Sequence, residues 1–328
     1  MELFNPFDNI FLDNKTCFLT GKNLNDTDVP LGIFPNWVLD QYAYRGKKFV
    51  LMDNITSVAY EDLKLPCSAE VKVAFEKIDQ DVHRVLENGY QAVVDYDEHK
   101  LFLWMAKIVY GILYNDILHE QKRLKNADKE FKLSASLKER FSLLHLMMQS
   151  IVTPMTFTGA KPWSITIVKL KYSKNIFHFR DSTANLLFTL GMNGFGIIAC
   201  LQDNGIIKEE QQDILKKIGD STLHPIQFEE LCARFLYTRF LLQYKPEYKL
   251  DIGDKKVVIE GKPIIVNKEK QLLAPWNDAM FAKVLTDYWT PWGLTKKQII
   301  DFPNPPISYL ENENTFEFIT PESITLPF

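Results

Sequence analysis

The chain is short of cysteine, of excess positive charge and of long apolar runs, and each shortage excludes a class of protein. Its four cysteines, Cys17, Cys67, Cys200 and Cys232, include no C-x-x-C pair. That spacing gives neither a disulfide framework nor an intact zinc knuckle, so reduced thiols in a cytoplasmic protein are expected. Lys plus Arg number 38 against 42 Asp plus Glu, a net charge of −4. No global positive field therefore draws the chain onto nucleic acid or an anionic membrane, and a nucleic-acid site would have to be a local patch. The longest apolar stretch, Leu101–Tyr114, is 14 residues and contains Lys107. It falls short of the ~18 residues of a membrane span and reads as a buried helix, with no membrane contact expected. Met1–Lys15 carries Glu2, Asp8 and Asp13 and no basic stretch ahead of an apolar one, unlike a secretory signal.

What is present is the balance of a folded protein: 46% hydrophobic and 24% charged residues, enough apolar mass for one large domain or two of medium size. The segment to about Pro66 is rich in turns. Long helices follow. Ser68 is placed to cap one in which Val71, Phe75, Ile78, Val82 and Val85 form a single apolar face ending at Asn88-Gly89. A second helix runs from near Asp97 to about Lys122. A third opens on the capping box Ser136-x-x-Glu139, continues through Phe141, Leu144, Met148 and Ile151, and stops before Pro154.

From Trp163 to Leu201 the pattern changes to short β-rich pieces, which predict an antiparallel sheet with a hairpin at Asn193-Gly194. The glycines Gly191, Gly194 and Gly196 fall in the order G-x-x-G-x-G with no helix after them, unlike a nucleotide-binding loop. Helices are predicted over Glu209–Ile218 and from Pro225 to about Gln243, where Phe228, Leu231, Cys232, Phe235 and Leu236 make an apolar stripe. A hairpin is predicted over Tyr248–Val266 around Gly253 and Gly261. A helix is expected near Asn277 and a short one at the capping box Thr295-x-x-Gln298, with Pro303–Pro306 and the tail irregular.

Three motifs stand in order before the first long helix: CFLTGK at Cys17–Lys22, IFPNWVL at Ile33–Leu39 and LPCSAEV at Leu65–Val71. Together they resemble the HNH-endonuclease-like treble-clef family, over roughly the first 115 residues. In that family a knuckle C-x-x-C-G-K is followed by E-H-I-F-P-x-W-L and then by a second knuckle P-C-C-x-x-C-N at a helix start. The resemblance implies four thiolates around a structural zinc and a His that activates water beside a catalytic metal. The working positions are substituted. Cys17 remains, but Thr20, Ser68 and Val71 stand where the other thiolates belong, Leu31 and Gly32 replace the Glu-His pair, and Lys72 replaces the Asn. Ile33, Phe34, Pro35 and Trp37 survive as packing residues, and Trp37 is expected to be buried at the base of the remnant.

Other polar clusters are weighed on spacing. Asp116, His119 and Glu120 share one helix face, as helical metal sites require, but they also suit the solvated end of a buried helix. Asp95, Asp97, Glu98 and His99 read as linker capping and solvation. Cys200 and Cys232 read as buried thiols. Trp276, Trp289 and Trp292 suit either a pocket or a core. Lys161, Lys169, Lys171, Lys174 and Arg180, interleaved with Trp163, Tyr172 and Phe177, form the densest basic-aromatic stretch. They are the candidate contacts for nucleic acid or a partner, although lysines guarding a sheet edge give the same pattern.

The expected fold is α+β: a zinc-free treble-clef remnant over 1–90, a helical core over 91–155, and an antiparallel sheet with C-terminal helices over 156–328. No catalytic residue, metal or cofactor is assigned. The expected function is a non-catalytic, nuclease-derived module that binds nucleic acid or a protein partner. The alternative is an enzyme with its site in a cleft between the helical core and the sheet.

Overall fold

In the computed structural model, residues 3–8, 12–266, 271–301 and 307–326 are described, and they form an α+β protein. The turn-rich N-terminal stretch holds β1 (Leu31–Gly32), α1 (Asn36–Gln41), β2 (Lys48–Val50), β3 (Ser57–Ala59) and β4 (Lys64–Leu65). β1 pairs with β4 and β2 with β3, both antiparallel. The helical core follows as α2 (Ala69–Glu87), α3 (Tyr90–Val94), α4 (Glu98–Lys125) and α5 (Ala135–Met148). In α2 the spacing places Val71, Phe75, Ile78 and Val82 in the core, with Leu86 rather than Val85 taking the last inner position.

α4 is the axis of this half. Asp97 caps it by accepting from the Lys100 amide, and every residue from Leu101 to Ile117 is buried. The helix is long and apolar enough to cross a membrane by composition, yet its apolar residues are packed inside the protein. Gly111 lets α4 approach the N-terminal segment, since a Cβ there would lie 2.5 Å from the Ile33 side chain.

The second half contains β5 (Met155–Gly159), β6 (Ser164–Leu170), β7 (Phe177–Ser182), β8 (Leu187–Met192), β9 (Phe195–Cys200), α6 (Ile206–Glu210), α7 (Gln212–Ile218), β10 (Thr222–Leu223), α8 (Pro225–Leu241), β11 (Tyr248–Ile252), β12 (Val257–Gly261), α9 (Asp278–Trp289) and α10 (Lys296–Ile300). The main sheet has the order β10-β6-β9-β8-β7. Asn193 (φ 40°) and Gly194 (φ 84°) turn β8 into β9, both with the positive φ that a tight hairpin needs.

Every residue of β8 and β9 is buried because the sheet is covered on both faces. Alternation divides the side chains. Phe188, Leu190, Ile197 and Ala199 join the core built on α2, α4 and α5, whereas Leu187, Ile198 and Cys200 join a second core with Phe228, Leu231 and Cys232 of α8 and Leu285 of α9.

Several expectations need correction. The sheet is not wholly antiparallel: β10 runs parallel to β6. A second sheet, β11-β12-β5, includes a strand before Trp163 that runs parallel to β12. The cap of α5 is Ser134, whose Oγ accepts from the Leu137 amide, because Ser136 already lies within the first turn. Ser68 precedes α2 but makes no side-chain capping bond. The helix expected over Glu209–Ile218 is two helices broken at Gln211, α8 ends at Leu241, and the 248–266 hairpin pairs only as far as Gly261. α9 begins beside Asn277 as expected, with that residue as its cap, and Thr295 caps α10 through the expected reciprocal capping box. Pro303–Pro306 lie outside the described residues. The tail beyond them is tied down by buried Glu230, which accepts from the amides of Tyr309 and Leu310 and the hydroxyl of Ser308.

Candidate functional site

The first and third N-terminal motifs meet in space, and β1, just before the second, pairs with β4 at the start of the third. The Cys17 amide donates to the carbonyl of Lys22 and the Gly21 amide to that of Cys17, closing a tight loop, while the Phe18 amide donates to the carbonyl of Pro66 at the entrance to α2. Cys17 Sγ lies 3.9 Å from Ser68 Oγ, so Ser68 faces the loop instead of capping its helix. Thr20 Oγ1 is buried with no hydrogen-bond partner, and Val71 is fully buried. Cys67 is also buried, and burial followed by the neighbouring Cys17 thiol pushes its pKa up to about 12. Leu31 pairs with Leu65 in the β1–β4 ladder, and Lys72 is ion-paired to Glu76 at 3.9 Å. Among the described residues, no group of three or more His, Cys, Asp or Glu side chains is placed to hold a metal ion. Trp37 is only half-buried; its ring stacks on His83 with centroids 4.5 Å apart.

The basic residues of the central segment do not gather on one face. Lys161 bonds Glu98 at 2.7 Å, and Lys169 lies 3.5 Å from Asp220 with its ammonium over the Tyr90 ring. Lys171 and Lys174 are exposed in the connection after β6. Arg180 stands on β7, at the far side of the sheet from β6 and on its other face, 3.6 Å from buried Glu229 and over the Tyr288 ring. His178 reaches the same carboxylate at 2.8 Å. This His178–Arg180–Glu229 cluster was missed in the sequence because its acid lies on α8, about fifty residues downstream in the chain.

Glu98 and His99 do more than face solvent: Glu98 also accepts from the Trp163 indole, and His99 bonds Ser150 and stacks near Trp163. Cys200 and Cys232 are buried thiols with pKa values raised by burial. Trp276, Trp289 and Trp292 are dispersed: Trp289 is core, Trp276 exposed against Tyr237, and Trp292 beside His224.

One concavity lies at the end of α4 that carries Asp116, His119 and Glu120, where His119 is exposed and Glu120 half-exposed, as a solvated helix end requires, but Asp116 is buried. A cavity of about 620 Å³ opens between the last turns of α4, the 51–56 loop, the start of α5 and Ala184 of the β7–β8 connection. Leu113, Ile117, Phe131 and Phe141 line its apolar wall. Asp116 is 7% exposed; its Oδ1 accepts from the Met52 amide at 2.9 Å, and its Oδ2 is buried without a partner. Burial, only partly offset by that bond and reinforced by repulsion from Asp181 and Asp53, raises its pKa to about 6. Glu120 forms a two-bond pair with Arg123, and Asp53 is held at a pKa of about 2 by the Thr56 hydroxyl and the Ile55 and Thr56 amides.

Comparison with known proteins found no matching family model, no matching curated protein and no matching solved structure.

Proposed function

We propose that the chain is a non-catalytic, nuclease-derived module that binds a protein partner on a zinc-free treble-clef framework. The observation that supports it most is the 3.9 Å separation of Cys17 Sγ and Ser68 Oγ. A tetrahedral site with Zn–S bonds of ~2.3 Å holds neighbouring sulfurs ~3.8 Å apart. Two ligand positions of the family thus stand at ligand spacing, a third (Thr20) keeps an unpartnered hydroxyl, and packing by Val71 fills the fourth. Loss of the metal is tolerable where a large core can dock the remnant, as α4 does through Gly111 and Ile33. With Leu31 and Gly32 at the catalytic positions, no side chain there activates water.

A protein partner is favoured over nucleic acid. Three of the five basic residues are held by acids and the set is spread over two sheet faces, whereas the β2–β3 hairpin leaves Val50, Met52 and Ile55 exposed. The framework is tested by restoring the ligands with Thr20→Cys, Ser68→Cys and Val71→Cys together and titrating Co²⁺. One equivalent with the visible absorption of a tetrahedral thiolate site is expected, and no uptake by a folded variant overturns the reading. The function is tested by incubating the native chain with DNA and RNA in Mg²⁺, Mn²⁺ or Zn²⁺. No cleavage is expected, and any binding should survive the change of Lys161, Lys169, Lys171 and Lys174 to Ala. Binding abolished in that variant would restore nucleic acid as the partner. An enzyme with its site in the cleft beside Asp116 is the second reading, favoured by that carboxyl's raised pKa.

A further inference from the structure

Another cavity, of about 680 Å³, opens between the first turns of α5, Gln202 beyond β9, the end of α8 and the segment leading into β11. Arg239 of α8 lines it and is only 8% exposed, yet its guanidinium makes no hydrogen bond or ion pair among the described residues. Its nitrogens are not among the fully enclosed polar atoms that lack a partner, so they remain open to the cavity. Arg140 of α5, half-buried, lines the same space and spends one N–H on the Ala184 carbonyl. Burial, and then the neighbouring Arg239 charge, lower its pKa to about 10. The other charges are accounted for: Lys245 bonds Glu139 at 2.9 Å on the exposed rim, and Glu247 is exposed to solvent. Asp203, near Arg239 but outside the lining, is fully buried, and its oxygens accept from the Ser164 hydroxyl and the Gly205 and Ile207 amides. Two guanidinium groups are therefore left without an acid. A desolvated cation without a partner is costly, so the site gains by receiving an anion. One arginine fork occupies both oxygens of a planar carboxylate, whereas the three terminal oxygens and nearly double charge of a phosphate monoester serve two forks.

We propose that this cavity binds a small phosphate monoester, its phosphate received by the Arg239 and Arg140 guanidinium groups and its polar body by Gln202 and Ser136. Gln202 is 6% exposed and, like Arg239, lines the cavity with no side-chain hydrogen bond among the described residues. A volume of about 680 Å³ accepts a ligand the size of a hexose phosphate. The site uses no residue of the Cys17–Ser68 framework and does not presuppose turnover.

The test titrates the full chain calorimetrically, in phosphate-free buffer, with glucose 6-phosphate, glucuronate, glucose and inorganic phosphate. Glucose 6-phosphate is expected to bind at least tenfold more tightly than glucuronate, glucose not measurably, and inorganic phosphate in competition with the ester. Arg239→Gln and Arg140→Gln, each checked for an unchanged circular-dichroism spectrum, should each weaken glucose 6-phosphate at least tenfold. Lys245→Gln, at the rim, should change it less than twofold. Glucuronate binding as tightly as the ester, unchanged binding in Arg239→Gln, or an equal loss in Lys245→Gln overturns the assignment. So does the failure of both glucose 6-phosphate and inorganic phosphate to bind the native chain. If Arg239→Gln does not fold, Arg140→Gln and the ranking of the probes on the native chain still decide it.

Discussion

Lys107 of α4 and Asp79 of α2 form a buried ion pair, with the ammonium 2.5 and 2.7 Å from the two carboxylate oxygens. Lys107 is the one charge within the apolar run of α4, and it is fully buried. Burial pushes the Asp79 carboxyl up and the neighbouring ammonium pulls it back. Removing one partner strands the other charge, whereas removing both leaves an apolar contact. Lys107→Met should therefore cost about 3–5 kcal/mol, and Lys107→Met with Asp79→Leu should come back to within about 1 kcal/mol of the native chain or exceed it. Urea unfolding of the three proteins measures this; a double variant as weak as the single one would contradict the pairing.

Trp37 packs its indole face on His83 and lies near Trp104 and Phe177, but one side of it remains open to solvent. Truncation forfeits stacking and part of a core contact rather than a full cavity. Trp37→Ala should cost about 2 kcal/mol, below the ~3–5 kcal/mol of a fully enclosed tryptophan. A loss of about 3–5 kcal/mol in denaturant melts would mean the ring is more deeply engaged than its exposure indicates.

His145 ties α5 to the Cys17 loop. Its Nε2 is 2.7 Å from the Phe18 carbonyl and donates to it, and Gln149 lies 3.4 Å from Nδ1. Complete burial, against the favourable pull of nearby carbonyls, lowers its pKa from 6.5 to about 4. The unfolded chain takes up the proton first, so the contribution is intact above pH 6.5 and is lost as pH falls from about 6.5 to about 4. The loss amounts to roughly 3 kcal/mol at 1.36 kcal/mol per pKa unit. Asp116 and Asp203, each raised to about 6 by burial, act with the opposite sign and favour the folded state toward low pH. Comparing native and His145→Gln stabilities across pH 4–7 isolates the histidine. The native chain should lose more on acidification, and parallel curves would remove His145 as the cause.

Local rules reached far along this chain. The spacing in α2, the Asn193-Gly194 turn and the Thr295 capping box are each decided within a few residues, and all three stand in the structure. What stayed hidden depends on partners distant in sequence. β5 is a strand because β12, about a hundred residues later, supplies its hydrogen bonds. Asp116 reads as a solvated helix end until the 51–56 loop and α5 close over it. Lys169 and Arg180 look like neighbours until β9 and β8 are inserted between their strands and alternation turns them to opposite faces. The Cys17–Ser68 approach spans fifty-one residues, and only a resemblance between motifs, not periodicity, suggested it.

Gly196 marks a close approach of α8 to the main sheet. A Cβ there would lie 2.3 Å from the Phe228 ring, and Phe228 is itself 1% exposed and walled by the second core. The backbone conformation is not the obstacle, since Gly196 lies in a regular strand where alanine loses less entropy than glycine on folding. Any destabilisation is therefore steric, and Gly196→Ala should cost about 1–3 kcal/mol through displacement of the ring. Gly194, two residues earlier, provides the opposite case: nothing lies within 4 Å of its added Cβ, but its φ of +84° strains an L-residue. Gly194→Ala should cost about 1 kcal/mol from that conformation alone, without loosening α8. Thermal melts give the two losses, and amide exchange in α8 separates their origins. Faster exchange in Gly196→Ala only is the expected result, and a Gly196→Ala chain as stable as the native one would show that α8 stands farther from the sheet.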